Sequence, residues 1–184
     1  MKKTIHTIAV ALFAIATCTM AAQANTSMQS CSQYEVGFSP EGGAEEIVLK
    51  TIASARSDIK VLAYSFTSKP VVQALSQARR RGVNVSVVAD ASNLNSRPGT
   101  AALSALSSAG ISVRTISYYK IMHDKVILVD GKTVEFGSFN YSKAAAQDNS
   151  ENAQVCWNSP GIAAIYLEHW QSRWNQGTLF HPAY

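Results

Sequence analysis

The chain has few of the residues that hold metals or staple small domains. Three cysteines and four histidines are spread over 184 residues. They form no Cys-x-x-Cys and no His-x-x-x-His, and no metal-binding cluster of Asp and Glu accompanies them. That spacing calls for no zinc or calcium centre, and no cofactor is implied. Charge is sparse as well, at 15% of residues. The formal net charge is only +4, so any anion binding must come from local clustering and not from an overall field. Beyond the first 24 residues, no stretch is long and apolar enough to span a bilayer, and no stable membrane association is expected. No low-complexity linker divides the chain, which suits one domain with a full core.

The first 24 residues are of a different kind. Lys2 and Lys3 form a positive start, and residues 5–16 are mostly apolar, with His6 as the exception. Ala22-Gln23-Ala24 fits the small-x-small pattern of a signal-peptide cleavage site. We therefore expect an export signal over 1–24, a mature domain over 25–184, and a periplasmic or secreted protein. Losing Lys2 and Lys3 would lower the formal charge from +4 to +2. Cys18 would leave with the signal. Cys31 and Cys156 would remain, and an oxidising compartment permits one disulfide between them. The alternative is that Cys156, beside Trp157, is a small buried hydrophobe.

Strand-like and helix-like stretches alternate. Strands are expected near 34–38, 59–66, 83–90, 111–116 and 151–157. Helices are expected from Ser39 to about residue 57, then over 69–82, 99–109, 142–147 and 160–175. This alternation predicts βαβ units and an α/β fold, with a mixed, mainly parallel sheet flanked by helices. The one dense basic run, Arg79 to Arg81, falls at a helix end. There it is either a solvated terminus that caps carbonyls or a contact for phosphates.

The chemistry concentrates in residues 123–140, "HDKVILVDGKTVEFGSFN". Asp130-Gly131 signals a β-hairpin. His123 and Lys125 lie two residues apart on one strand face, about 7 Å from each other. With a two-residue turn, in either of two registers, Ser138 and Asn140 join that face. An imidazole, an ammonium, a hydroxyl and an amide together suit a phosphodiester. Lysine and the amide hold non-bridging oxygens, and imidazole serves as nucleophile or proton donor near neutral pH. A short helix just after Asn140 offers further N–H groups. The same parity sends Asp130 to the other face, as a turn and packing residue. Glu151 opens a later strand. It is either the acid that orients His123 or an exposed strand-end carboxylate.

The spacing His-x-Lys-x4-Asp-x6-Gly-Ser-x-Asn runs from His123 through Lys125, Asp130, Gly137 and Ser138 to Asn140. It resembles the HKD motif of the phospholipase D superfamily, with no departure inside the motif. "FSPEGG" at 38–43, "AYSFTS" at 63–68, "NSENA" at 149–153 and "EHWQSRWNQG" at 168–177 are similar to the small, secreted, single-motif endonucleases of that family. The resemblance implies an α-β-α sandwich and a metal-independent phosphodiesterase that works through a covalent phosphohistidine. It makes Lys125, Ser138 and Asn140 phosphate-binding positions, and Glu151 the supporting acid. It also implies a homodimer, because the mechanism needs two histidines and the chain has one motif. The intrachain alternatives are His169, in an aromatic-rich helix, and His181, in the tail.

The expected activity is nonspecific cleavage of DNA, with RNA as a further candidate substrate, and with Lys143 and Arg97 on the rim of the cleft contacting phosphates. The alternative is a phospholipase D acting on phospholipid headgroups.

Overall fold

The computed structural model describes residues 30–182. The expected export signal therefore lies outside the described residues. The elements in order are β1 (Gln33–Ser39), α1 (Gly43–Ser54), β2 (Asp58–Ala63), α2 (Lys69–Arg80), β3 (Asn84–Asp90), α3 (Arg97–Ser108), β4 (Ser112–Ile116), β5 (Lys125–Val129), β6 (Thr133–Gly137), α4 (Lys143–Gln147), β7 (Glu151–Trp157), α5 (Pro160–Gln176) and β8 (Thr178–Leu179). One eight-stranded sheet carries the order β1-β7-β6-β5-β2-β3-β4-β8.

The sheet is mixed and flanked by helices, as the alternation predicted. Its balance differs from the expectation. Only β2 with β3 and β3 with β4 are parallel, and the other five pairings are antiparallel. Two βαβ crossovers build the parallel part. The hairpin and the two edge strands then add antiparallel partners, β1 beside β7 and β8 beside β4.

Each face has its own core. Ile47, Val48, Leu75, Leu103 and Leu106 from α1, α2 and α3 pack on Val61, Val87 and Ile127. On the opposite face Trp170 and Ala163 of α5 cover Leu62, Val88, Leu128 and Val134. The indole of Trp170 also donates to the carbonyl of Val61 at 3.1 Å. Aromatic spacing in α5 is thus a packing pattern. Strands buried on both faces explain the near-continuous apolar runs of β2, β3 and β5.

Two boundaries moved for local reasons. Ser39 does not cap a helix; it is the last residue of β1 and pairs with Glu151. The first helix begins only at Gly43, behind Gly42 in the left-handed region at φ 93°. At the other end of α2, Arg81 directs its guanidinium to the carbonyls of Ile52, Ala53 and Ala55 at 3.4–3.5 Å. Arg81 therefore closes the end of α1, on the sheet edge opposite the ends of the parallel strands.

Cys31 and Cys156 are joined by a disulfide, with Cα atoms 5.2 Å apart and 125 residues between them in sequence. It ties the chain entering edge strand β1 to β7. Loop-closure entropy for so long a loop is worth up to ~5 kcal/mol. Mass analysis of the unreduced protein should find no free thiol at these positions, and Cys31→Ser should lower the melting temperature. Two alkylatable cysteines would contradict the bond.

Glu135 is a polar exception in the core. It is fully buried in β6, opposite Ile127 and Val155. The Tyr141 hydroxyl donates to its Oε2 at 2.7 Å, and its Oε1 has no partner. Burial pushes its pKa up to about 8, against the hydrogen bond from Tyr141. Its folded value thus lies above its unfolded one, so the folded state holds the proton longer. Stability should be full below about pH 4.5 and fall as pH rises through about 8, by a few kcal/mol in order of magnitude. Glu135→Gln should flatten that decline and raise the melting temperature at pH 9. Parallel melting curves of the two proteins from pH 5 to 9 would refute the buried neutral acid.

Candidate active site

The ends of β2 and β3, the start of β5, the end of β6 and the start of β7 meet at one edge of the sheet. Ligand sites of open α/β sheets form outside the carboxyl ends of such parallel strands. His123, Ser138 and Asn140 lie just past the last paired residues of the hairpin, and Glu151 is the first residue of β7.

The hairpin reaches this arrangement by a route that strand parity did not predict. Asp130 and Gly131 form the expected turn, both left-handed at φ 52° and 62°. Lys132 then bulges. Its N–H bonds to Val129, while its carbonyl accepts the N–H of Ser159 at 2.6 Å. Pairing resumes at Thr133 opposite Val129, so the ladder follows neither of the two registers expected. Continued, it sets Lys125 opposite Gly137, not Ser138.

Beyond Gly137 the N–H groups of Ser138 and Phe139 both donate to the carbonyl of Asn152, at 3.0 and 3.1 Å. Two residues face one, which is a bulge, and it re-aims the chain at the sheet edge. Gly137 is required there by close approach, since a Cβ would collide with that same carbonyl oxygen. The motif residues are thus gathered by the strand ends and this bulge, not by a shared strand face.

The side chains divide into three groups. Lys125 is only 5% exposed. Its ammonium donates to the His123 carbonyl at 2.9 Å and lies 5.2 Å from the centre of the Tyr64 ring. One of its three N–H donors is thereby used. Burial lowers its pKa, against the carboxylates of Glu151 and Asp124, which raise it. A buried ammonium with donors to spare is suited to an arriving anion. His123 itself is exposed, and its ring leans on Tyr64 with centroids 4.7 Å apart. Asn140 holds a buried Oδ1 with no partner. That oxygen is an acceptor, so it is the amide N–H groups of Asn140 that suit a phosphate oxygen.

Ser138 and Glu151 form the third group. The Ser138 hydroxyl donates to Glu151 Oε2 at 2.6 Å and accepts the N–H of Asn152 at 3.0 Å. Asn149 donates to the other carboxylate oxygen at 3.0 Å. The hydroxyl expected at a phosphate thus also bridges Glu151 and the backbone of Asn152 within the chain. Glu151 is held by Ser138 and Asn149, and the bond expected to His123 is not among its contacts within the chain. Lys125→Ala should cut turnover by roughly 10²–10³-fold, as loss of a preorganised donor does, without lowering the melting temperature. A collapse in stability with a proportionate loss of activity would assign Lys125 to folding.

Asp130 lies at the far end of the hairpin. Its carboxylate accepts the backbone N–H groups of Arg56, Ser57 and Asp58, at 2.8–3.3 Å, and the Ser57 hydroxyl. Burial raises its pKa, but those donors outweigh it and hold the carboxyl below the usual range. Asp130 fastens the hairpin to the start of β2, a structural part in keeping with its parity.

Three further residues position the site and escaped the sequence reading. Asp90 at the end of β3 accepts the N–H of Met122 at 2.7 Å. Asn93 accepts the N–H of Phe66 at 2.9 Å and donates to the carbonyls of Tyr64 and Asp90. Tyr64 donates its own N–H to the carbonyl of Asp124 at 2.9 Å. Together they fix the segment after β4 that delivers His123. The only signals were an acid ending an apolar strand and an asparagine in a polar loop, and both are common in turns.

Residues 48–174 match the family described as "Cardiolipin synthase, PLD-like domain". The chain belongs to the phospholipase D superfamily. It is 36% identical over 149 residues to a phospholipase D of Rickettsia bellii, covering 81% of this chain and 73% of that one. Among solved structures it is similar to Nuc of Salmonella typhimurium, a phospholipase D family member. The TM-score there is 0.80, with 49% identity over 81% of this chain and 98% of Nuc. NucT of Helicobacter pylori, at 24% identity and TM-score 0.70, shares the fold and covers 80% of this chain and all of its own.

As a phospholipase D superfamily hydrolase, the chain has His123, Lys125, Ser138, Asn140 and Glu151 at the sheet edge described above, with the motif aspartate at the other end of the hairpin. Lys143 and Arg97 are exposed on that same edge, each opening a helix. His169 lies on the α5 face of the sheet, bonded to the residue between His123 and Lys125 and not to either of them. It sits on α5 with Nε2 3.1 Å from Asp124 Oδ2.

Proposed function

We propose that the protein is an exported, metal-independent nuclease that hydrolyses phosphodiesters in DNA, and in RNA, without reading the bases. The observation that carries this reading is the gathering of His123, Lys125, Ser138, Asn140 and Glu151 at one sheet edge, in a chain 49% identical to Nuc over 98% of Nuc's length. A neutral His123 imidazole attacks phosphorus and forms a phosphorus–nitrogen bond. The bond to the leaving oxygen breaks, and that oxygen takes a proton from a second imidazolium. Water, deprotonated by the second imidazole, then displaces His123 and leaves a phosphate monoester. Lys125 and Asn140 hold the non-bridging oxygens throughout. Lys143 and Arg97 contact flanking phosphates.

The second imidazole comes from a second copy of the chain across a two-fold axis. Support lies in what one chain leaves uncovered. Tyr118 and Ile121, in the segment that delivers His123, are 72% and 49% exposed, and Phe38 beside Glu151 is 59% exposed. Apolar side chains around a reactive histidine suit burial between two copies. Glu151 is unbonded to the imidazole of its own chain, so the dimer leaves it to orient the imidazole of the other.

The names of the Rickettsia relatives favour a second reading, cleavage of phospholipid headgroup esters by the same chemistry. Plasmid nicking in EDTA, run beside hydrolysis of phosphatidylcholine vesicles, separates the two. Nicking that survives the chelator supports the nuclease. Hydrolysis of lipid alone would replace it, and nicking abolished by EDTA would remove the metal-independent mechanism.

A further inference from the structure

Two cavities open on the site edge of the sheet. One, of about 450 Å3, is lined by Glu45, Ser68, Lys69, Pro98 and Lys143 among others. The second, of about 380 Å3, lies between α2 and α3 and is walled by Val72, Gln73, Ala101 and Ala105. They share Thr67, Lys69 and Pro98, so they form one groove with a cationic mouth and an apolar slot. The groove is fixed to the motif through the backbone. The N–H groups of Thr67 and Ser68 both donate to the carbonyl of Tyr141 at 2.8 Å, one residue beyond Asn140.

The charge at the mouth has no structural explanation. Lys69 and Lys143 are exposed, and neither is in an ion pair among the described residues. Each is the first residue of its helix, and neither helix has an acid in its first turn. The helix dipole disfavours a cation there. Glu45 also faces the cavity, with the Ser68 hydroxyl donating to it at 3.4 Å. Two ammonium groups against one carboxylate leave the mouth positive.

We propose that this groove binds one nucleotide of a single strand, next to the phosphate being cleaved. Its phosphate lies between Lys69 and Lys143. Its base enters the slot between α2 and α3, where Gln73 offers an amide to the base edge. A paired and stacked base cannot enter a slot walled by helices, so the groove favours single strands over duplex. An acyl chain would fit the apolar walls but would make no bond with the exposed Gln73 amide beside them. The inference rests on the nuclease reading and adds to it a subsite and a strand preference.

The test compares three substrates: a single-stranded DNA oligonucleotide, the same sequence as duplex, and bis(p-nitrophenyl) phosphate, which is too short to reach the groove. Lys69→Ala should lower kcat/KM on the single strand roughly tenfold relative to the short diester, and Lys69→Arg should restore it. The slope of log kcat/KM against log salt should fall by about 0.7 for the lost phosphate contact. Ala101→Trp fills the slot and should raise KM for the single strand about tenfold relative to duplex. Equal losses on oligonucleotide and short diester, an unchanged salt slope, or equal effects of Ala101→Trp on single strand and duplex would each overturn the groove while leaving the nuclease intact. A wild-type protein that hydrolyses the short diester but neither nucleic acid would overturn the nuclease reading, and the groove with it.

Discussion

Replacing His123 with Ala is expected to lower phosphodiester turnover by about four orders of magnitude or more, with the melting temperature unchanged. The size follows from the role. Removing a covalent nucleophile leaves only binding and electrostatic stabilisation, which act on a step that no longer has an attacking group. The intact fold follows from the environment. His123 is exposed, and its ring touches Tyr64 at the sheet edge, outside both cores. Its backbone carbonyl, which accepts from Lys125, is unaffected by the substitution. Initial rates on an oligonucleotide, a thermal melt, and acid-quenched trapping of labelled substrate on the protein together check it. Wild type should retain label and His123→Ala should not. A variant that keeps turning over would end the phosphohistidine mechanism. His169→Ala is the matched control. Its imidazole already faces Asp124 at 3.1 Å on α5, so the chemical step should continue at close to the wild-type rate.

The legible parts of this chain were those set by local pattern. Alternating runs of apolar residues gave the strands and helices, because strands buried on both faces and amphipathic α2 carry their burial in the sequence. The HKD spacing was legible because it is short, with every member on or beside one hairpin. The geometry of that hairpin was not. Strand parity assumed a regular ladder, whereas two bulges intervene. One is drawn out by Ser159, 27 residues beyond Lys132, and the other by Asn152 against Gly137. A bulge stabilised by a distant partner leaves no mark on the local alternation of residues.

The balance of the sheet was missed for a related reason. Crossover helices predict parallel neighbours, and they do so for β2, β3 and β4. The placement of β5 beside β2 comes from the segment after β4. Asp90 at the end of β3 holds that segment through the N–H of Met122, and Asn93 braces Asp90 and the chain after β2. Likewise, the reach of Ser138 to Glu151 depends on β7 lying beside β6, a tertiary pairing. The sequence shows which groups the chemistry needs, and tertiary contacts decide which of them touch.

Subunit mixing should expose the second histidine. With an excess of inactive His123→Ala protein and conditions that allow exchange, activity should fall well below simple dilution of the wild type. In the proposed mechanism each catalytic cycle needs one imidazole to attack and another to protonate the leaving oxygen, and one chain presents a single HKD histidine. A mixed dimer holds one intact His123 and so lacks either the nucleophile or the acid. At a ninefold excess with random exchange, only about 1% of dimers retain both, against about 10% of the chains being wild type. The expected suppression is therefore about tenfold beyond dilution. Substitution of Tyr118 or Ile121 by Asp should act in the same direction, by separating the copies at the apolar rim, and should lower activity in proportion to the monomer fraction seen by sedimentation. Activity that simply tracks the wild-type fraction, or full activity in a demonstrated monomer, would falsify the shared site and return the search for the proton donor to His169 and His181.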